Sequence, residues 1–165
     1  MNGYEIGPGV DLSGADLSGA DLSGVDLQGT FALGRLGLIP RPSGINLTFA
    51  KLTGANLSKM NFCEATFWRA EGQGADFWQS SLHGADLREV DFCEASFPGA
   101  DLSGADLSNG NFSGADLKRS KVSDAHLIDT DLSGIDASWA DFKESNFAGA
   151  NLSGANLSGA NLSGA

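Results

Sequence analysis

The sequence predicts a repeat solenoid, and three observations lead to that prediction. From Leu12 to Leu162 every fifth residue belongs to one apolar column, in which 25 of 31 positions are Leu or Phe and one more is Val122. The residue two places earlier is usually Ala, and the residue between them is usually Asp or Asn. A period of five fits neither a helix nor a strand, so no ordinary amphipathic element buries one face with it. A stack of short coils can bury an apolar column with this period.

The repeat reads A-(D/N)-L-S-G, as in residues 15–19 (ADLSG) and 105–109 (ADLSN). This pattern resembles the repeat of the pentapeptide-repeat family over almost the whole chain. The resemblance implies an all-β fold, a right-handed quadrilateral parallel β-helix in which four pentapeptides complete one square coil. It also implies that the central Leu or Phe and the small residue two places before it point inward, while the other three positions face solvent.

One solenoid accounts for the whole length, so we expect residues 1–165 to form a single domain, with seven to eight coils if residues 31–45 stay in the wall. Residues 31–45 break the pattern, and the register resumes unshifted at Leu47. The prolines in this segment lack the N–H that ladders between coils require, which favours an irregular loop insertion over a distorted stretch of the wall. A loop on a regular scaffold is a candidate interaction site, here made by Arg35, Leu36, Leu38, Ile39 and Arg41.

Phenylalanine replaces leucine at eight positions of the apolar column, and we expect these side chains to form the structural core: Phe62, Phe67, Phe77, Phe92, Phe97, Phe112, Phe142 and Phe147. Phe77 lies one coil from Phe97, and Phe92 one coil from Phe112, which predicts two pairs of offset stacked rings. Gly72 leaves the column underfilled and marks a bulge or a small void, as does Ala137.

All three tryptophans occupy outward positions, on two opposite faces of the predicted coil. The candidate interaction faces comprise Phe49, Trp68, Arg69 and Arg88 on one side, and Trp78, Lys118, Arg119 and Trp139 on the other. Arg88 is one coil above Trp68, and Trp139 is one coil above Arg119, which predicts two cation–π contacts. Exposed aromatic residues beside arginine are typical of interface anchors, although local stacking without a partner explains the pattern equally well.

The formal net charge of −11 argues against direct nucleic-acid binding and favours basic partners or simple solubility. However, 13 of the 21 acidic residues are aspartates at the Asp/Asn position, so the charge is interpreted as a by-product of the repeat. No apolar run approaches the roughly 18 residues that span a bilayer, and Met1 to Val10 lacks the features of a secretory signal. A cytoplasmic protein with no membrane partner is expected.

Motifs of catalysis and cofactor binding are absent from the sequence. It contains no G-x-S-x-G, no P-loop, no H-E-x-x-H and no C-x-x-C. His83 and His126 are too few to build a general-base site, and neither has metal-ligand spacing to a cysteine. We therefore expect no enzyme activity, no cofactor and no metal.

The function that these features favour is a noncatalytic, rigid interaction scaffold whose partner is another, unidentified protein. A first alternative comes from the quinolone-resistance branch of the family, whose acidic rods mimic DNA and bind DNA gyrase or topoisomerase IV. Against it, the charged columns are broken by Lys118, Arg119 and Lys121, and no dimerising C-terminal module is visible. A second alternative is structural self-assembly, in which the uncapped repeats of residues 150–165 pair with another copy as a homodimer.

Overall fold

The computed structural model describes residues 12–22 and 44–165 of the chain. These residues form a four-sided parallel β-helix. Each side contributes one residue to a parallel β-bridge with the next coil, instead of a longer strand. Six complete coils lie on a first coil of which residues 12–22 are described; their ranges are 46–65, 66–85, 86–105, 106–125, 126–145 and 146–165. The outward residues of each side form one wall of the rod.

The register between coils is regular from Asn46 onward, where each bridge joins residues 20 apart, beginning with Asn46 and Thr66. At the start of the rod the spacing differs, because Asp16 pairs with Lys51, 35 residues later. That interval is 15 residues longer than a regular coil. The last residue of the predicted loop at 31–45 belongs to the wall, because Ile45 is buried in the core and its carbonyl accepts from the Thr66 N–H. The loop residues up to Ser43, with Arg35, Leu36, Leu38, Ile39 and Arg41, lie outside the described residues, and a loop there stays a prediction.

Every side of the coil ends in a tight four-residue turn. In the turn that begins at Leu47, the Ala50 N–H donates to the Leu47 carbonyl at 3.0 Å, and the third residue, Phe49, has a φ of 57°. From Gly14 to Gly19 and from Phe49 to Gly164, every residue at this third position has a positive φ, and half of these residues are not glycine. An L-residue in this conformation costs about 1–2 kcal/mol relative to the right-handed helical region. The consensus glycine therefore sets the corner geometry, and the departures from it are strained.

We expect Glu94→Gly to raise the stability of the rod by about 0.5–1 kcal/mol, because Glu94 (φ 57°) occupies a corner that glycine tolerates better. The matched control is Gly74→Ala in the neighbouring coil of the same column. Gly74 has a φ of 64° and open space where a Cβ would lie, so the alanine costs only conformational energy and should destabilise. Urea unfolding measures both changes. If both variants changed the free energy of unfolding in the same direction, this explanation of the corners would be contradicted.

Three backbone hydrogen bonds per side join adjacent coils. Around one corner they are Leu47 N–H to Thr66 O at 2.7 Å, Phe49 N–H to Trp68 O at 3.0 Å, and Thr66 N–H to Ile45 O at 2.9 Å. The N–H of the residue after the central Leu or Phe takes no part in this ladder.

The Asp or Asn of the repeat accepts the hydrogen bond that the ladder leaves unmade. The Ser18 N–H donates to Asp16 Oδ1 at 3.1 Å, and the Ser58 N–H donates to Asn56 Oδ1 at the same distance. A side-chain oxygen that accepts from the backbone two residues later is the Asx turn, for which Asp and Asn are the suitable residues. The acidic residues at this position therefore have a structural role that does not depend on a partner.

Neighbouring coils often alternate Asp with Asn, which avoids stacking like charges. Asn151 Nδ2 donates to Asp131 Oδ1 at 3.1 Å, while the Ser133 N–H donates to the same oxygen at 2.9 Å. Hydrogen bonds from the backbone and hydroxyl of Ser133 lower the pKa of Asp131, and the Asn151 amide adds to that effect. The ionised carboxylate is thus the form that the fold stabilises.

Acid should destabilise the rod through these carboxylates. Because the pKa of Asp131 is lower in the folded state, its contribution is present above the unfolded pKa of about 3.9 and is lost as pH falls through the folded pKa. We expect the unfolding temperature to drop on acidification from about pH 5 to pH 2. Asp131→Asn keeps the Oδ1 acceptor and should reduce the drop, whereas Asp131→Ala should destabilise already at neutral pH. A pH profile of Asp131→Asn that matches the wild type would contradict this assignment.

The core is one continuous apolar column along the axis, in which the rings of Phe77 and Phe97 stack in parallel, as predicted, with centroids 4.7 Å apart and 4° between planes. The predicted offset stack of Phe92 on Phe112 is wrong, because these rings meet edge to face at 5.9 Å and 87°. The predicted void or bulge at Gly72 is also wrong. A Cβ built there would lie 2.5 Å from Phe92 Cε1, so the Phe92 ring already fills the space.

Burial decreases toward the last coil. The other predicted core rings, Phe62, Phe67 and Phe142, are buried, while Phe147 is half-buried and Leu162 is 42% exposed. The predicted homodimer through this last coil stays a prediction.

Candidate functional site

A shallow groove of about 520 Å³ runs along one wall of the rod, and its position follows from the 20-residue register. We call it the tryptophan groove; its lining residues are Trp78, Gln79, Pro98, Gly99, Lys118, Arg119, Ser138 and Trp139. They come from four successive coils and occupy the two outward positions of each turn. The sequence-predicted residues Trp78, Lys118, Arg119 and Trp139 therefore meet at one site.

The second of the four coils that line the groove carries a local substitution in the repeat. Ser96 stands where the repeat usually has Asp or Asn, and Pro98 follows two residues later. Since proline has no N–H, the turn needs no side-chain acceptor there, and the fixed φ of proline suits the second position of a tight turn. Gly99 completes the corner with a φ of 67°. Proline and glycine therefore leave no long side chain on this wall in the second coil.

The two indoles stand at opposite ends of the groove. Trp78 is 42% exposed, and the Lys59 ammonium, from the preceding coil, lies 4.6 Å from its ring centroid. Trp139 is 69% exposed and packs against Gly159 of the following coil, where a Cβ would lie 2.7 Å from the ring. Each ring is therefore supported from outside the groove and presents its remaining surface to the coils between them.

The two cations on the groove floor differ in their partners. Lys118 Nζ lies 3.0 Å from Asp116 Oδ2 and 3.2 Å from Asp136 Oδ2, bridging two stacked aspartates. Hydrogen bonds to Asp116 and then Asp136 raise the pKa of Lys118, which keeps the ammonium charged. Arg119 is exposed and has no ion pair with any residue in 12–22 or 44–165. Its guanidinium is available to a ligand.

On the opposite wall, the polar groups around Trp68 bind one another. Arg69 Cζ lies 4.7 Å from the Trp68 ring centroid, and Arg69 Nε donates to Glu89 Oε2 at 2.6 Å. Trp68 Nε1 also donates to Glu89, at 3.4 Å, and its ring contacts Phe49 with centroids 5.1 Å apart. Phe49 remains 50% exposed. The polar groups of this cluster are used within the chain.

Both cation–π contacts predicted from the sequence are wrong. Arg88 does not lie over Trp68: its Nε and Nη2 donate to the Asp86 carboxylate at 2.8 and 2.7 Å, and its Nε is 4.0 Å from Asp106. Arg119 does not pair with Trp139, which packs on Gly159. Two stacked carboxylates attract Arg88 more strongly than an aromatic face does.

Sequence reasoning missed several contributors to the groove. Gln79, Gly99 and Ser138 share the columns of the predicted residues, so extending the 20-residue register would have found them. Lys59 and Gly159, which support the indoles, could not be identified from spacing alone, since their roles depend on side-chain rotamers.

The described residues show neither a metal-binding cluster nor a membrane-spanning helix. Within residues 12–22 and 44–165, no group of three or more His, Cys, Asp or Glu side chains is arranged to hold a metal ion. In the same part of the chain, no helix has the length and apolar character needed to cross a membrane. Cys63 and Cys93 are both free thiols.

Comparison of structures supports the fold. HetL, a pentapeptide repeat protein involved in heterocyst differentiation regulation in the cyanobacterium Nostoc sp. strain PCC 7120, has a TM-score of 0.52 at 23% identity, covering 95% of this chain and 86% of HetL. A trypsin-treated variant of QnrB1, a plasmid-mediated fluoroquinolone resistance protein, has a TM-score of 0.51 at 23% identity over 93% and 87%. These similarities show the fold alone, and they confirm the right-handed quadrilateral β-helix.

Comparison of sequences identifies the family. No curated protein matches the chain. The family model for pentapeptide repeats matches in eight copies, over residues 8–31, 43–71, 73–109, 99–134, 111–148 and 138–165. Together with the A-(D/N)-L-S-G register and the four-sided coil, this match shows that the chain belongs to the pentapeptide-repeat family.

Proposed function

We propose that this chain is a noncatalytic scaffold that binds a partner protein through the tryptophan groove. One observation supports the proposal above all: two exposed indoles and an unpaired guanidinium lie on one wall of the rod. Tryptophan and arginine are the residues most enriched among those that dominate binding energy at protein interfaces. A solvent-exposed indole that packs on its own chain on one side only gains further burial when a partner covers the other.

The rigidity of the wall favours the same function. The groove residues are carried by turns whose backbone is tied to both neighbouring coils, as by the Arg119 N–H that donates to the Ser138 carbonyl at 3.0 Å. Binding therefore orders few side chains and no loop, which lowers the entropy cost of association. The opposite wall carries Trp68 as well, but its polar groups are already paired, which makes it a suitable internal control.

The test is affinity capture from an extract of the source organism with three baits. These are the wild type, the groove variant Trp78→Ser/Trp139→Ser, and the control variant Trp68→Ser on the opposite wall. We expect at least one protein to be captured by the wild type and the control and lost with the groove variant. Identical capture by all three baits would contradict the proposal. Thermal unfolding of each bait shows that the solenoid is intact.

The DNA-mimicking alternative gains little from the arrangement of the acidic columns. Both Asp–Asp stacks in the described residues are bridged by a cation, Arg88 across Asp86 and Asp106, and Lys118 across Asp116 and Asp136. We therefore expect no effect of micromolar protein on supercoiling by DNA gyrase, measured at two salt concentrations. Inhibition that weakens with salt would favour DNA mimicry over the scaffold.

The self-assembly alternative concerns the last coil and not the groove. In the last coil, the backbone N–H groups of the central Leu or Phe residues, such as that of Leu152, make no backbone hydrogen bond within the described residues. Sedimentation at several concentrations distinguishes it, because association through this coil predicts a mass that rises with concentration and does not change in the groove variant.

A further inference from the structure

We propose that the tryptophan groove binds an extended, proline-containing peptide segment that carries one carboxylate between two apolar residues. This inference rests on the proposed function and names the chemistry of the partner at the same site. Three features of the groove support it: the distance between the indoles, the type of surface that they present, and the single free charge between them.

The distance fits an extended peptide segment of five to six residues. The backbones of Trp78 and Trp139 lie three coils apart, which corresponds to about 14 Å at the spacing of neighbouring strands. A polyproline II segment rises about 3.1 Å per residue, so residues four or five positions apart reach both indoles at once. The groove is shallow and open along its length, which suits a segment that lies along the wall.

The surface type favours proline at the two ends of that segment. Proline-rich segments bind grooves lined by aromatic side chains, because the polyproline II conformation is preformed and loses little entropy on binding. Here the indoles are held from outside by Lys59 and Gly159, so a proline ring can pack on the side that faces the groove. Pro98 and Gly99 leave room for the backbone between the two contacts.

The free guanidinium of Arg119 favours a peptide with one carboxylate near its middle. Lys118 is shared by two aspartates, whereas Arg119, beside it, has no carboxylate partner in the described part of the chain. Arginine recognises a carboxylate through paired N–H donors. A polyanion such as a nucleic acid is disfavoured, since the chain carries a net charge of −11 and Asp76, Asp116 and Asp136 border the groove. One guanidinium among these aspartates matches one carboxylate.

The experiment measures fluorescence anisotropy of a labelled peptide, APAEAPA, titrated with the full chain. We expect saturable binding that weakens at least about fivefold when the peptide glutamate is replaced by glutamine, as for loss of a hydrogen bond to a charged group. Arg119→Gln should weaken binding of the glutamate peptide by the same factor and leave binding of the glutamine peptide unchanged. Trp78→Ser/Trp139→Ser should abolish binding, while Trp68→Ser should leave it unchanged.

Two outcomes overturn this inference. The first is no saturable binding up to millimolar protein, or equal binding of the glutamate and glutamine peptides. The second is binding of an oligosaccharide of uronic acids at the groove in place of the peptide, since sugars also stack on indoles. If extract capture still depends on Trp78 and Trp139, either outcome rejects the peptide chemistry and leaves the scaffold function standing. If capture is independent of the groove, the proposed function fails first.

Discussion

Restoring the consensus leucine at Gly72 is expected to destabilise the protein. The repeat calls for Leu or Phe at this position, yet a Cβ alone would lie 2.5 Å from Phe92 Cε1 and 2.6 Å from Cδ1. The Phe92 ring cannot retreat easily, because its centroid lies 5.2 Å from that of Phe77 and 6.0 Å from that of Phe97. Overpacking of a filled core typically costs about 1–3 kcal/mol, which we expect in urea unfolding of Gly72→Leu.

A compensating change at Phe92 provides the control. Phe92→Leu in the Gly72→Leu background removes the ring that occupies the space, so the double variant should recover part of the lost stability. The two residues are in contact, and their effects should therefore be non-additive. A Gly72→Leu variant as stable as the wild type would show that the cavity at Gly72 is real and that the packing described here is incorrect.

Phe97→Ala is expected to have the largest effect of any single substitution considered. Phe97 is fully buried, stacks face to face on Phe77 at 4.7 Å and contacts Phe92 and Phe112. Truncation of a buried phenylalanine costs about 3–5 kcal/mol through lost transfer energy and the cavity left behind. The loss should appear as a shift of the urea midpoint.

Phe147→Ala is the matched control for Phe97→Ala. Phe147 occupies the same repeat position in the last coil, but it is half-buried and contacts one other ring, that of Phe142 at 5.2 Å. We expect a clearly smaller loss of stability at this position. Equal losses of stability for Phe97→Ala and Phe147→Ala would contradict the idea that a core residue is buried by the coils on either side of it.

The fold was predictable because the repeat repeats one geometry. Each pentapeptide carries its own inward residue and its own corner, so the period of five predicted a solenoid. The resemblance to the pentapeptide-repeat family implied the four-sided coil, and the bridges between residues 20 apart agree with it. Positions that depart from the repeat were predicted less well. The space at Gly72 is filled by a neighbour one coil away, and its filling depends on the Phe92 rotamer, which the sequence does not encode locally.

The site was predictable at the level of columns and not at the level of contacts. The register placed Trp78, Arg119 and Trp139 on one wall, where they line the groove. It did not predict which group each long side chain would reach, because Arg88 and Lys118 each had stacked carboxylates within range as well as other partners. Which carboxylate a long Lys or Arg side chain contacts depends on its rotamer, and the rotamer is known only from the three-dimensional structure.

The most direct test of the central claim, that the tryptophan groove is the binding surface of this scaffold, is calorimetry with a purified partner that the wild-type bait captures. The account predicts that the Kd rises at least about tenfold for Trp78→Ser/Trp139→Ser, corresponding to loss of interface anchors, while Trp68→Ser binds as the wild type does. An unchanged Kd for the groove variant, or an equal loss for Trp68→Ser, would contradict it.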